Sequence, residues 1–300
     1  MRNTKTLLST ACALLTILLL TACSFFSHNS ARAQKMINVT ADHLPGSALE
    51  VRTRNGRIEV IASPGRTDVS IEAKLYARGD TMKEAEERLA ATTLQVSRKD
   101  DGTLVIQPVF PEPRRSGDGA GITIEIPGVN GATIETSNGS VHVYGLAGIL
   151  IVDTSNGSIE VFDHDGDADL DTSNGSITVN DHVGSLRLDT SNGSVRIHNV
   201  NGPVQADTSN GSIEVTLHDE QSGPLDLDTS NGSITVRVGA GFAGVVRLDT
   251  SNGSVTVRDH LGRITSRTVS KNRGRIVVGA GGEPSRLDTS NGRIRFTISG

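Results

Sequence analysis

After residue 130, apolar and polar residues alternate in short runs that break at a small polar turn and then resume. One instance is Leu186-Arg187-Leu188-Asp189-Thr190, then Ser191-Asn192-Gly193-Ser194, then Val195-Arg196-Ile197. Period two predicts strands, with Leu186, Leu188, Thr190, Val195 and Ile197 on one face and Asp189, Ser191 and Ser194 outward.

The unit recurs. Asp-Thr-Ser-Asn-Gly begins at Asp153, Asp171, Asp189, Asp207, Asp228, Asp249 and Asp288, preceded by a version opening on Glu135, with spacings of 18, 18, 18, 18, 21, 21 and 39. The last spacing reads as 21 plus 18, with Lys271-Asn272-Arg273-Gly274-Arg275-Ile276 as a degenerate unit. Arg54-Asn55-Gly56-Arg57-Ile58 looks like an isolated first copy, and a second turn closes each unit near Gly166, Gly184, Gly202, Gly223, Gly244 and Gly262.

Asn-Gly between alternating runs also suits a hairpin meander. A meander gives no reason for the same five letters to persist, whereas a β-solenoid does, because equivalent residues stack about 4.8 Å apart in columns. Propeller blades need about 40 residues, which leaves only an arrangement of two units per blade open. The expected fold is therefore all-β, a β-solenoid of 18–21-residue rungs over residues 122–300, right-handed by crossover chirality. About nine rungs would make a rod roughly 40 Å long. Asn138, Asn156, Asn174, Asn192, Asn210, Asn231, Asn252 and Asn291 form the expected turn ladder, each amide bonding its neighbours and tolerating a left-handed turn. The adjacent Gly is expected to supply positive φ.

Residues 38–121 read as an N-terminal α+β cap, with strands near 51–61, 69–76, 94–98 and 104–110 and a helix over 82–89 capped by Asp80. Nothing comparable follows residue 298, so the last rung is expected to present an open edge. An open edge raises end stacking into a homo-oligomer as an alternative function.

Composition fits this picture. Aromatics are 3% and hydrophobic residues 35%, with 33 Gly and no Trp, which on its own suggests disorder. With the repeat, it becomes a narrow aliphatic core with glycine corners. Residues 1–22 carry Arg2, Lys5, an apolar run from Leu7 to Leu20, and Leu20-Thr21-Ala22 before Cys23. This resembles a lipoprotein signal, with Cys23 becoming the lipidated N-terminus and 23–37 a polar tether. Cys12 lies inside the removed run, so no intramolecular disulfide is expected. The expected location is the cell envelope, membrane-bound through Cys23, with Ser24 favouring the outer membrane of a Gram-negative cell. Removing Arg2 and Lys5 takes the charge from 29 − 34 = −5 to 27 − 34 = −7, which disfavours nucleic-acid binding.

Three candidate chemistries remain. The repeated Asp column could hold Ca²⁺, be relieved by flanking Arg187 and Arg247, or bond its own turns. Asp163-His164 and Asp181-His182 recur in register, with Asp259-His260 and Leu217-His218 in the same positions, so His164, His182, Asp163 and Asp181 are candidate transition-metal ligands against the simpler reading of a polar turn. Four ligands in tetrahedral order are not evident, and no metal or other cofactor is expected. Three-residue additions at 218–224 and 238–244, and another amid Arg263, Arg267, Lys271, Arg273 and Arg275, depart from the repeat, with Phe242 in the second. Insertions on solenoids commonly map to a binding face, so Phe242 and the five cations form a candidate patch for an anionic glycan, lipid head group or protein partner. No phosphate loop, nucleophile elbow or zinc-protease helix is present, so an enzyme is not expected, a polysaccharide-active one being the remaining catalytic alternative.

With its strands, single helix and serial units such as Asn156-Gly157-Ser158-Ile159, the chain from 38 to 300 resembles the bacterial putative-adhesin family of β-strand-repeat proteins. The resemblance implies a cell-envelope solenoid acting as a non-catalytic structural or adhesive scaffold. It implies no catalytic residues.

Overall fold

The computed structural model describes Leu15–Thr16, residues 31–218 and residues 223–300. The signal segment, apart from that two-residue strand, Cys23 and the tether to residue 30 lie outside the described residues. Each repeat unit supplies two strands that run parallel to, and in register with, the equivalent strands of its neighbours. Asp189 lies between Asp171 and Asp207, and Ile177 between Ile159 and Val195. Parallel pairing at constant register makes the fold a β-solenoid and removes the meander. Alternation then does the packing. Leu170, Leu188, Val179 and Ile197 are at most 2% exposed while the residues between them face out. Burying each such side chain contributes about 1.5–3 kcal/mol before chain entropy is counted.

In spatial order the rungs are 104–126, 49–62, 130–144, 147–165, 168–183, 186–201, 204–217, 225–238, 284–298 and 244–259. Rung order departs from chain order at both ends. At the N-terminal end, Leu49–Arg52 pairs with Leu104–Val109 on one side and Asn130–Thr136 on the other, so the rung around Asn55 is sandwiched. The apparent isolated first copy is thus a full rung, and the solenoid starts earlier than residue 122. Residues 63–103 leave it and return. Within that excursion Asp68–Gly79 pairs antiparallel with Gly119–Ile126 and with Ala31–Asp42, and the helix Met82–Ala91 packs on both strands through Ala85 and Leu89.

Two local expectations change here. The helix cap is Thr81, whose hydroxyl accepts from the Glu84 amide at 3.2 Å while the Glu84 carboxylate accepts from the Asp80 amide at 2.8 Å. Residues 31–37, expected as tether, begin the twelve-residue strand Ala31–Asp42, because its backbone groups complete the edge of Asp68–Gly79.

At the C-terminal end, the last strands of the chain are not an open edge. Pro284–Thr289 and Arg293–Ile298 insert between the rungs 225–238 and 244–259, with Phe296 beside Val236 and Val257 and 0% exposed. The chain skips this slot on its way up: residues 239–243, at about 3.3 Å each, outreach the ~9.6 Å of two rung spacings. The three-residue addition there serves that climb. The expected degenerate unit is instead a hairpin, Ile264–Val269 with Arg273–Val278, whose second strand runs antiparallel on Gly244–Thr250. End stacking through residues 296–298 is overturned by this insertion.

Candidate functional site

The repeat's polar letters converge on one corner. Nine asparagines form an unbroken ladder in spatial order 55, 138, 156, 174, 192, 210, 231, 291, 252, each Nδ2 after Asn55 donating to the preceding Oδ1 at 2.8–3.0 Å, while Asn55 Nδ2 donates to the Ser116 and Asp118 carbonyls. All eight predicted members are present, joined by Asn55. One residue type was missed: the inward Thr. Thr154, Thr172, Thr190, Thr208, Thr229, Thr250 and Thr289 each donate from Oγ1 to a glycine carbonyl of the adjacent rung at 2.8–3.0 Å. Its invariance among otherwise aliphatic inward positions was the signal. The glycine has a different role from the one expected. Apart from Gly56, at φ +121°, it lies outside the left-handed region; rather, a Cβ on Gly193 would lie 1.7 Å from the Gly175 oxygen. Positive φ belongs to the second corner, at Asp163, Asp181, Asn199, Gly166 and Gly184.

The Asp column is in register from Glu135 to Asp249. Partial desolvation, then the neighbouring carboxylates, raise Asp171, Asp207 and Asp228 above the ordinary carboxylate range. Relief comes from arginines: Arg286 reaches Asp288 at 3.1 Å and Asp228 at 3.7 Å, and Arg273 reaches Asp249 at 3.3 Å.

His164 and His182 come together as predicted, but the aspartates do not join them. The rings stack with centroids 5.2 Å apart and Nδ1 to Nδ1 at 3.2 Å, and they occupy core positions in line with Val200 and Leu217. Asp163 and Asp181 sit in left-handed turn conformations and point to solvent, because adjacent residues of a strand end face opposite ways. The proposed four-residue metal cluster is therefore divided across the wall. Among the described residues no group of three or more His, Cys, Asp or Glu is arranged to hold a metal. Burial, with the neighbouring His182 ring adding to it, pushes His164 down to about 4, and burial lowers His182 as well. Both imidazoles are neutral at pH 7.

The C-terminal patch is also redistributed. Phe242 is 1% exposed and packs against Phe296 with ring centroids 5.8 Å apart, so it fills the core at the climbing loop and offers nothing to a ligand. Four of the five cations lie on the capping hairpin and the half-buried Arg263 just before it: Arg267 donates to the Val257 carbonyl at 3.3 Å, Arg273 pairs with Asp249, and Lys271 and Arg275 are exposed. The 218–224 addition falls largely on residues 219–222, outside the described residues.

No curated protein matches the chain. Among solved structures it is similar to a putative adhesin from Parabacteroides distasonis ATCC 8503, with a TM-score of 0.50 and 13% identity over 87% of this chain and 97% of that one. It is also similar to a putative adhesin from Bacteroides fragilis NCTC 9343, with a TM-score of 0.47 and 14% identity over 87% and 97%. A putative lipid binding protein from Parabacteroides distasonis ATCC 8503 aligns with a TM-score of 0.33 and 11% identity over 89% and 97%. At 13% identity the likeness to the first of these is one of fold alone. The Toastrack DUF4097 family model matches residues 46–297, the whole ten-rung solenoid with its insertion, and the chain belongs to that family.

Proposed function

We propose that the protein is a lipid-anchored, non-catalytic scaffold of the cell envelope, a stiff rod held to the membrane at Cys23 and presenting its outer faces for adhesion. The observation that carries this reading is the use made of the repeat's polar groups. Asn and Thr side chains hold rung to rung, so the polar letters that recur in every unit serve the wall itself. Rigidity along the rod suits a spacer that works at a distance from the bilayer.

Replacement of Cys23 by Ala tests the anchor: the chain is expected to move from the membrane fraction to the soluble one, and retention in the membrane would sink the lipoprotein reading. Crosslinking and pull-down from intact cells, with protease accessibility on the same sample, then separates an outward adhesin from a periplasmic scaffold. Turnover of envelope polysaccharide by the purified protein would return the enzyme alternative.

A further inference from the structure

We propose that a cavity in the wall of the first four rungs binds an acidic sugar, its carboxylate or phosphate held by Arg54 and Arg114. This goes beyond the scaffold reading and does not rest on it. The cavity measures about 380 Å³, within the range of small-ligand sites, and is bounded by the rungs 49–62, 130–144 and 147–165 together with Gln107, Pro108 and Arg114 of the rung 104–126.

Three observations point to an absent anion. The Arg114 guanidinium stands 4.8 Å from the centroid of the Phe110 ring, and its Nε and Nη2 are buried without a hydrogen-bond partner. Among the described residues neither Arg54 nor Arg114 has a carboxylate at ion-pair distance, whereas Arg52 in the same wall is held by Glu50 at 3.2 Å and Glu135 at 3.1 Å. Burial and then the like charge of Arg54 lower the pKa of Arg114, with Asp118 and Glu112 acting in the opposite sense but not at ion-pair distance. The third observation is a break in the ladder. Thr136, also in the cavity lining, has a buried Oγ1 with no partner, whereas the seven threonines of the later rungs bond a glycine carbonyl and Thr53, in the rung before, bonds the Asn55 carbonyl at 3.3 Å.

Planar guanidinium forks fit carboxylate and phosphate oxygens, and unpaired buried donors gain most from such a partner. The rest of the lining favours a sugar over a nucleotide or an acyl chain. Thr53, Ser137 and Ser155 offer hydroxyls, Gln107 an amide and Asp153 a carboxylate that can accept sugar hydroxyls, while no aromatic ring lines the cavity for base stacking.

The test is titration of the purified full chain in detergent with glucuronic acid, glucose 6-phosphate and glucose, followed by saturation-transfer NMR. Saturable binding of either acidic sugar, with glucose at least tenfold weaker, is expected, and the tighter of the two identifies a carboxylate or a phosphate source. Arg54→Gln, at an exposed position, is expected to weaken binding at least tenfold, as is Arg114→Gln. Arg293→Gln, on a distant rung, is expected to leave it unchanged. No saturable binding of either acid, binding of glucose equal to theirs, unaltered affinity in Arg54→Gln, or equal loss in Arg293→Gln would overturn the proposal. The Cys23 fractionation reads the anchor separately, so each idea can fail alone.

Discussion

The two ends of the solenoid close themselves by the same exchange, carried out with different amounts of protein. At each end a rung is bypassed and filled by a segment distant in sequence: 49–62 lies between 104–126 and 130–144, and 284–298 lies between 238 and 244 in space. The N-terminal end is then covered by three antiparallel strands and a helix, and the C-terminal end by one hairpin. A bare rung exposes a row of unpaired backbone groups, so some antiparallel closure is needed at each end. The comparison shows that the terminal rung is locked by what is inserted behind it as well as by what lies over it.

The largest expected effect breaks the C-terminal lock. Phe296→Asp places an unpaired carboxylate between Val236 and Val257, at a cost of about 4 kcal/mol or more. Hydrogen exchange should then show residues 244–298 losing protection while 130–217 keep theirs. At the N-terminal end the matching lock is electrostatic. Asp118 is fully buried, pairs with Arg88 at 2.7 Å and accepts from the Arg78 and Arg115 amides at 2.9 Å. Burial alone would raise its pKa, but these donors together hold it below the ordinary range. Asp118→Asn should cost about 3–4 kcal/mol, with lost protection confined to the insertion.

A third change compares the middle of the rod with the hairpin. Gly193→Ala meets the Gly175 carbonyl, backbone against backbone, and should cost about 3 kcal/mol. Gly274→Ala meets side chains and no backbone, Leu248 Cδ1 at 2.7 Å and Val255 Cγ1 at 3.3 Å, and should cost about 1 kcal/mol. Equal losses in urea melts would mean that the rungs can part as easily as the hairpin can shift.

Acid separates the regions further. A His whose folded pKa is depressed contributes stability that is present above the unfolded value of 6.5 and lost as pH falls toward the folded one, about 4 for His164. Between those limits the central rungs should lose about 2–3 kcal/mol. His164→Val with His182→Val, matching Val200 in the same column, should abolish that loss. Asp118 acts in the same sense but only below the ordinary Asp value of 3.8. The raised Asp171, Asp207 and Asp228 act oppositely, gaining stability in acid and losing it as pH rises through their folded values. Thermal melts from pH 7 to 4 that show no destabilisation removable by the double Val variant would contradict this account of the His pair.

Much of the central rod was legible because one letter per column is enough to fix register when neighbours are identical. Asn138 to Asn231 stack in chain order, and the strands follow. The ends were illegible for the same reason. Arg286-Leu287-Asp288-Thr289 and Arg247-Leu248-Asp249-Thr250 present the same face, so repetition alone cannot say which is outermost. The hairpin left a clue in what it lacks: Ile264-Thr265-Ser266-Arg267-Thr268-Val269 has no Asp-Thr pair and no continuous inward Leu or Val. His164 was misplaced beside Asp163 because adjacency in sequence was read as convergence, although a strand sends neighbours to opposite faces. The arginine cavity had no sequence signature, since Arg54 and Arg114 are brought together only by the return of the insertion.

The smallest stability effect should come from the hairpin's charges. Arg273 and Asp249 are 74% and 49% exposed, so Arg273→Gln is expected to cost under about 0.5 kcal/mol. What holds the hairpin is its backbone pairing with Gly244–Thr250 and the burial of Ile276 and Val278, both 0% exposed. The cations have a different consequence, because Ile264–Val269 is paired on one side only and is the outermost strand at this end. Its exposed Arg267, with Lys271, Arg273 and Arg275 nearby, repels a second copy approaching edge to edge. Replacing all four by Gln should leave the melting temperature within a few degrees of the parent yet raise self-association in sedimentation velocity, whereas charge changes on the covered N-terminal end should leave self-association as in the parent. If the fourfold variant associates no more than the parent at high concentration, the edge is guarded by its irregular pairing at Ile264 and Ser266 rather than by charge.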